Sequence, residues 1–231
     1  MINQFERSEL LLGAEGIEKL KTSKVAIFGV GGVGGYVIES LARSGVGSLD
    51  LIDNDIVSLS NLNRQIIALH STIGRFKVDV AKERCLDINP NIKINTYKCF
   101  YSPDNADEFD LFEYDYIIDA IDTISAKISL VERAHKYNIP IISAMGAGNK
   151  LDAKLFKVAD ISKTAVCPLA KIMRKELRLR GINHLKVVYS EENPQKINNN
   201  IGEKLVGSLP YVPSVMGLLI AGEVINNLVT K

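Results

Sequence analysis

The sequence predicts an α/β protein built on a mostly parallel sheet with helices on both faces. Two observations predict it. Short apolar runs alternate with helical patterns through the first two thirds of the chain, and a glycine-rich turn joins the first run to the first helix. Parallel strands need crossover connections, which helices supply. Strands are expected at 25–28, 48–52, 93–97, 116–119 and 140–143, and helices at 32–44, 74–88, 106–112 and 125–137. The last third changes character. "KLFKVADISKT" (154–164) reads as an edge strand and turn, 168–180 as a helix begun by proline, and "HLKVVYS" (184–190) as another strand. Residues 191–208, "EENPQKINNNIGEKLVGS", are polar and turn-rich and are expected to form a mobile loop. The most apolar stretch, 213–229, is short for a bilayer span and carries Glu223 near its middle, so a buried helix is expected there.

At 231 residues and 46% hydrophobic, the chain can bury the core of one domain. Its expected parts are an N-terminal helical arm (1–22), a nucleotide-binding core (23–150) and a C-terminal extension (151–231) that completes the sheet. A formal charge of +1 excludes a generally basic coat but leaves room for a local patch. The three cysteines, Cys85, Cys99 and Cys167, lie too far apart in sequence for a disulfide framework, and one chain cannot build a four-cysteine zinc site from them. The opening segment is charged from residue 6 and lacks the apolar core of a leader. A cytoplasmic protein without membrane attachment is expected.

The chemistry begins in "FGVGGVGGYVIESLARSGVGSLDLIDND" (28–55), where Gly29, Gly31 and Gly34 give G-x-G-x-x-G after a strand and before a helix. Asp53 ends the next strand, about 20 residues on. Such glycines allow a tight turn and let backbone N–H groups approach phosphate at a helix N-terminus. ATP and NAD would both fit. The choice comes from "DNDIVSLSNLNRQ" (53–65), which adds Asp55, Ser60, Asn61, Asn63, Arg64 and Gln65, followed by Lys77 and by Asp119 and Asp122 of "DAID". Arg64 and Lys77 offer positive charge to a triphosphate, and Asp122 a hard oxygen ligand to Mg²⁺. Hydride transfer would use none of these. Adenylation of a carboxylate would use them all, because charge builds on the α-phosphate and the leaving pyrophosphate. Asp55 and Asp119 are expected to be structural. The glycine turn, Asp53/Asp55, Asp119/Asp122 and 143–148 all follow strands and are expected to share one cleft.

Together "GVGGVGG", "DNDIVSLSNLNRQ", Lys77 and "DAIDT" resemble the ubiquitin-activating-enzyme-like (ThiF/MoeB/HesA) adenylyltransferases. The resemblance implies a Rossmann-like, doubly wound sheet and ATP with Mg²⁺ as cofactors. It implies that Gly31 and Gly32 meet the phosphates, Asp53 the ribose, and Asn61 and Arg64 the phosphates. Lys77 would meet the phosphates or the developing charge, and Asp122 the Mg²⁺. Gly29, Gly34, Ser60, Asn63 and Thr123 complete the implied nucleotide shell. Arg7, in "QFERSELLLG", matches an arginine that reaches into the partner's site, which implies a homodimer.

The second half, "SAMGAGNKLDAKLFKVADISKTAVCPLAKIMRKELRLRGI", "LKVVYSEE" and "LPYVPSVMGLLIAGEVI", resembles the tRNA threonylcarbamoyladenosine dehydratases (cyclases), and this resemblance covers nearly the whole chain. It implies ATP-dependent closure of the threonylcarbamoyl group beside the anticodon to a hydantoin, through an acyl-adenylate and release of AMP. No covalent enzyme intermediate is required, and Cys167 reads as a half-buried thiol before a helix. His70, His135 and His184 receive no role. Between Lys163 and Lys186 stand seven Lys or Arg against one acid. Helical spacing puts Lys171, Lys175 and Arg178 on one face, with Leu169, Ile172 and Met173 turned elsewhere, and that face is expected to meet tRNA. The reading leaves room for a sulfur-relay protein partner and for a monovalent cation near 143–149. Its rivals are an activator of a ubiquitin-like or sulfur-carrier protein, an NAD-dependent oxidoreductase and a nucleotide-sensing module.

Overall fold

Strand β1 (Lys24–Phe28) alternates its side chains between two apolar layers. Val25 and Ile27 face one core, Ala26 and Phe28 the other, and all four are fully buried. Such a strand must lie inside a sheet covered on both faces. The computed structural model describes residues 3–196 and 206–230. It orders the strands β3 (Lys93–Tyr97), β2 (Ser48–Ile52), β1, β4 (Tyr116–Asp119), β5 (Ile141–Ala144), β7 (Lys186–Ser190) and β6 (Phe156–Asp160). Every pairing is parallel except β6 with β7. The fold is the doubly wound, Rossmann-like one predicted, and β7 beside β5 carries the C-terminal extension into the same sheet.

On one face lie α1 (Glu6–Thr22), α2 (Gly34–Ser44), α3 (Lys77–Ile88) and α6 (Tyr211–Thr230), contributing Leu20, Leu41, Val78 and Ile220 to a shared core. On the other lies α4 (Ile124–Lys136), whose Ala126 and Leu130 pack with Phe28 and Phe109. Helix α5 (Pro168–Leu179) closes a third cluster through Met173 and Leu177 against Val187 of β7. By length and composition α6 could cross a membrane, yet half of its apolar window is buried in this protein. Its Glu223 pairs with Lys186 Nζ at 2.5 Å.

Several expectations need correction. Residues 106–112 are not a helix: two 3₁₀ turns, Pro103–Glu108 and Leu111–Glu113, replace it. The Ser102 hydroxyl accepts from Asp104 N and the Asp110 carboxylate from Phe112 N, so local caps break the segment twice. The helix expected at 74–88 starts only at Lys77, because Gly74 has φ +85°. The helix expected from residue 32 starts at Gly34. Helix α1 is interrupted at Gly13 (φ 72°, ψ 166°), which separates the arm carrying Arg7 from the part packed on α6. Residues 197–205 of the loop expected at 191–208 lie outside the described residues.

A buried charge pair organises the end of β4. Lys127 Nζ lies 2.9 Å from Asp119, both side chains being fully buried. Ser143 Oγ donates to Asp119 at 2.5 Å and Ile121 N at 3.2 Å, while Lys127 also donates to the Ile121 carbonyl at 3.1 Å. Removing one member of such a pair leaves the other charged and desolvated. Lys127→Met is therefore expected to destabilise the fold by about 3–5 kcal/mol. Adding Asp119→Asn should recover part of the loss in urea titrations. An unchanged midpoint for the single variant would contradict this.

Candidate active site

The carboxyl ends of β1, β2, β3, β4 and β5 open on one cavity of about 580 Å³, within the range of small-ligand sites. The floor is the turn after β1, where two glycines have no substitute. Gly29 has φ +98°, and a Cβ there would lie 2.5 Å from the Ala120 carbonyl oxygen. A Cβ on Gly34 would lie 1.9 Å from the Gly29 oxygen. Gly31 and Gly32 line the cavity itself.

Asp53 stands at the end of β2 and holds the turn. Its two carboxylate oxygens accept from Val30 N at 2.7 Å and Asp55 N at 2.8 Å. Burial pushes its carboxyl above the ordinary value, against the pull of those two N–H groups and of Lys77. Asp55 is tied to Lys77 at 2.6 Å, and Lys77, held almost wholly inside, is among the residues that line the cavity. Asn61 accepts from Ser58 N through its side chain. Arg64 also lines the cavity, and its guanidinium donates to the Ser60 carbonyl at 2.8 Å and to Asn63 Oδ1 at 3.0 Å. Two cationic residues, Arg64 from the β2–α3 connection and Lys77 at the start of α3, thus line the same cavity as the glycine turn.

Asp122 lines the opposite wall. Its carboxylate accepts only a long 3.4 Å bond from Thr123 Oγ1 among the bonds of the described residues, and the N-cap position of α4 is Thr123, whose side chain makes no capping bond. No cluster of three His, Cys, Asp or Glu suited to a metal occurs among the described residues. A single carboxylate on the same cavity as a glycine turn fits Mg²⁺, which draws most of its ligands from phosphates and water.

Of the residues singled out in the sequence, the cavity gathers Gly29, Gly31, Gly32, Asp53, Asn61, Arg64, Lys77 and Asp122. Gly34 sits beneath the turn, and Ser60 and Thr123 lie outside the lining. Asn63 also lies outside it, with its amide donating to the Ser208 carbonyl at 3.0 Å. Arg7 is exposed on α1, outside the lining of its own chain's cavity. Sequence reasoning missed Cys99, Phe100 and Tyr101, which follow β3 and form an apolar wall near Asp53. Their place beyond a parallel strand was the available signal. It also missed Val206, Ser208 and Pro213, the last of which lies against Gly32 of the turn. Gln65 is buried, and its Oε1 has no partner among the described residues. Burial raises the Cys99 thiol, so the cavity's cysteine stays protonated at neutral pH.

The ThiF family model matches residues 5–231. The chain belongs to the ThiF family. It is 45% identical to the tRNA threonylcarbamoyladenosine dehydratase of Bacillus subtilis (strain 168), over 99% of this chain and 95% of that protein. The E. coli tRNA N6-threonylcarbamoyladenosine dehydratase has been solved with AMP and with ATP. Those structures superpose with TM-scores of 0.91 and 0.90 at 29% and 30% identity, covering 98% of this chain and 94% of theirs.

The turn yields a discriminating prediction. The nearest group to a Cβ on Gly31 is Gln65 Nε2 at 3.9 Å, so Gly31→Ala should leave the melting temperature unchanged while weakening nucleotide binding in calorimetry. Gly34→Ala, which has no room, should unfold the turn and lower the melting temperature. A cavity not used by nucleotide would leave Gly31→Ala with undiminished affinity.

Proposed function

We propose that this ThiF-family protein is an ATP-dependent tRNA threonylcarbamoyladenosine dehydratase. The observation that carries this reading is the composition of one cavity: a glycine turn, a carboxylate beside it, two cations and a further carboxylate, Asp122, with one long hydrogen bond. The full-length similarity to dehydratases supports the substrate.

In this reading the substrate carboxylate attacks the α-phosphorus of ATP, and pyrophosphate leaves. The turn's N–H groups, Arg64 and Lys77 stabilise the charge that builds on the phosphates. Asp53 orients the nucleotide by its ribose, with the 99–101 wall beside the base. Asp122 would hold Mg²⁺, which supplies charge neutralisation along the phosphates. The ureido nitrogen then attacks the acyl carbon, loses its proton and expels AMP, closing the hydantoin ring. The attack is intramolecular, so orientation replaces a chemical catalyst for this step. A monovalent cation near 143–149 would draw on backbone oxygens there, that of Asn149 being already engaged by Gln195 N.

The reading includes a homodimer. Leu10 and Leu11 are 83% and 87% exposed on α1, and Leu59, Leu69 and Phe76 are exposed on the β2–α3 connection, an apolar surface that a second copy would cover. Arg7 would then reach the partner's phosphates. For tRNA, the α5 face is the favoured contact. Arg174 is committed to the Thr164 and Ile161 carbonyls, Arg180 to Glu132 and Glu176, and Lys186 to Glu223. Lys171, Lys175 and Arg178 remain exposed, as phosphate contacts require. Because its substrate would be tRNA, we place the protein in the cytoplasm.

The test is incubation with MgATP and threonylcarbamoyl-modified tRNA, followed by digestion and mass spectrometry. The modified nucleoside should lose one water, and Asp122→Ala should abolish the loss while the circular dichroism spectrum is retained. An unchanged nucleoside with the wild-type protein would overturn the reading. Arg7→Ala should keep the dimer but lose turnover, and mixing it with Asp122→Ala should restore part of the activity. Mixtures as inactive as their components would remove Arg7 from the partner's site.

A further inference from the structure

One stretch of the cavity lining hangs on two asparagines. Val206 and Ser208 line the cavity, and the peptide between them is gripped from both sides. Asn149 N donates to the Gly207 carbonyl at 2.8 Å, and Gly207 N donates back to Asn149 Oδ1 at 2.6 Å. From outside the lining, Asn63 Nδ2 donates to the Ser208 carbonyl at 3.0 Å. Asn149 occupies the left-handed region, φ +57°, which asparagine tolerates better than most residues. The Asn149 carbonyl also accepts from Gln195 N at 2.7 Å, so one residue ties together two separate chain segments. The fit is close as well: a Cβ on Gly148 would lie 2.1 Å from Val206 Cγ1. Val206 itself is 67% exposed, an aliphatic side chain with no cover at the cavity.

We propose that Asn149 and Asn63 are positioning residues that hold residues 206–208 as a water-excluding wall over the acyl-adenylate. This inference rests on the dehydratase reading and names what keeps its two half-reactions coupled. An acyl-adenylate has two fates. In one, the ureido nitrogen attacks the acyl carbon, its proton passes to solvent, the bond from that carbon to the phosphate oxygen breaks, AMP leaves with the bond's electrons and the ring is closed. In the other, a water oxygen attacks the same carbon, AMP leaves, the water's protons pass to solvent and the original carboxylate returns. The second route consumes ATP for nothing. Water exclusion and a fixed orientation favour the first, and these hydrogen bonds fix residues 206–208 where Val206 and Ser208 line the cavity. Asn63 also accepts from Arg64, so wall and phosphate cation share one anchor.

The readout is the ratio of AMP released to cyclised nucleoside formed, measured with MgATP and modified tRNA. Wild-type protein should give a ratio near unity. Asn149→Gly keeps the left-handed backbone but loses the carboxamide, and its ratio should rise about fivefold, the factor associated with one lost hydrogen bond. Asn149→Asp keeps the Oδ1 acceptor and should return towards the wild-type ratio. Asn63→Ala, which removes the Ser208 bond from the other side, provides the same measurement if Asn149→Gly fails to fold. A slower but still coupled Asn149→Gly or Asn63→Ala, with AMP and cyclic product falling together, would overturn the inference and leave the dehydratase reading intact. Wild-type protein that forms no cyclic nucleoside would overturn both.

Discussion

The buried pair of Asp119 and Lys127 is the constraint on which the site depends. Asp119 ends β4 between β1 and β5, at the place where ligands meet such sheets. Its carboxylate collects Lys127 from α4, Ser143 from β5 and the Ile121 N–H of its own loop. Those bonds fix the short link from Asp119 to Asp122. The same link presses the Ala120 carbonyl against Gly29, close enough to forbid any side chain there. One desolvated charge pair thereby sets the spacing between the glycine turn and the Asp122 wall. Buried pairs of this kind seldom raise net stability over an apolar substitute, so its value here lies in position.

The charges that face the cavity follow a different logic. Lys77 is almost wholly buried yet reaches the more exposed Asp55. Arg64 is held by the Ser60 carbonyl and by Asn63. Each cation has a partner within the protein before any phosphate arrives, so neither must be ordered on binding. Asp122 differs, because its carboxylate carries no ion pair among the described residues. A carboxylate left so lightly engaged on the cavity that Arg64 and Lys77 also line suits a hard metal that arrives with its phosphates.

The sheet was legible because its strands are short apolar runs ending in functional residues, and β6 and β7 could be read from "FKVAD" and "KVVYS". Charged residues with fixed spacing also carried through: Asp53, Arg64, Lys77 and Asp122 converge on one cavity. What escaped was chemistry without a local pattern. Cys99, Phe100 and Tyr101 have no motif, and only their place after β3 brings them to the cavity. Asn63 sat among nucleotide ligands in the sequence, but its amide is used on Ser208, a residue distant along the chain. Asn149 carries no sequence signal at all, because its role comes from a left-handed backbone meeting Gly207. The segment 106–112 misled because its apolar spacing imitates a helix, while Asp110 and Ser102 cap it into two turns.

The central claim is that a substrate carboxylate attacks the α-phosphorus of ATP in this cavity. It is tested most directly with tRNA whose threonylcarbamoyl carboxylate carries heavy oxygen. After one turnover, AMP is isolated and weighed by mass spectrometry. Attack by the carboxylate transfers one of its oxygens to phosphorus, so the released AMP should carry a heavy oxygen. AMP without label, formed alongside cyclised nucleoside, would contradict the account.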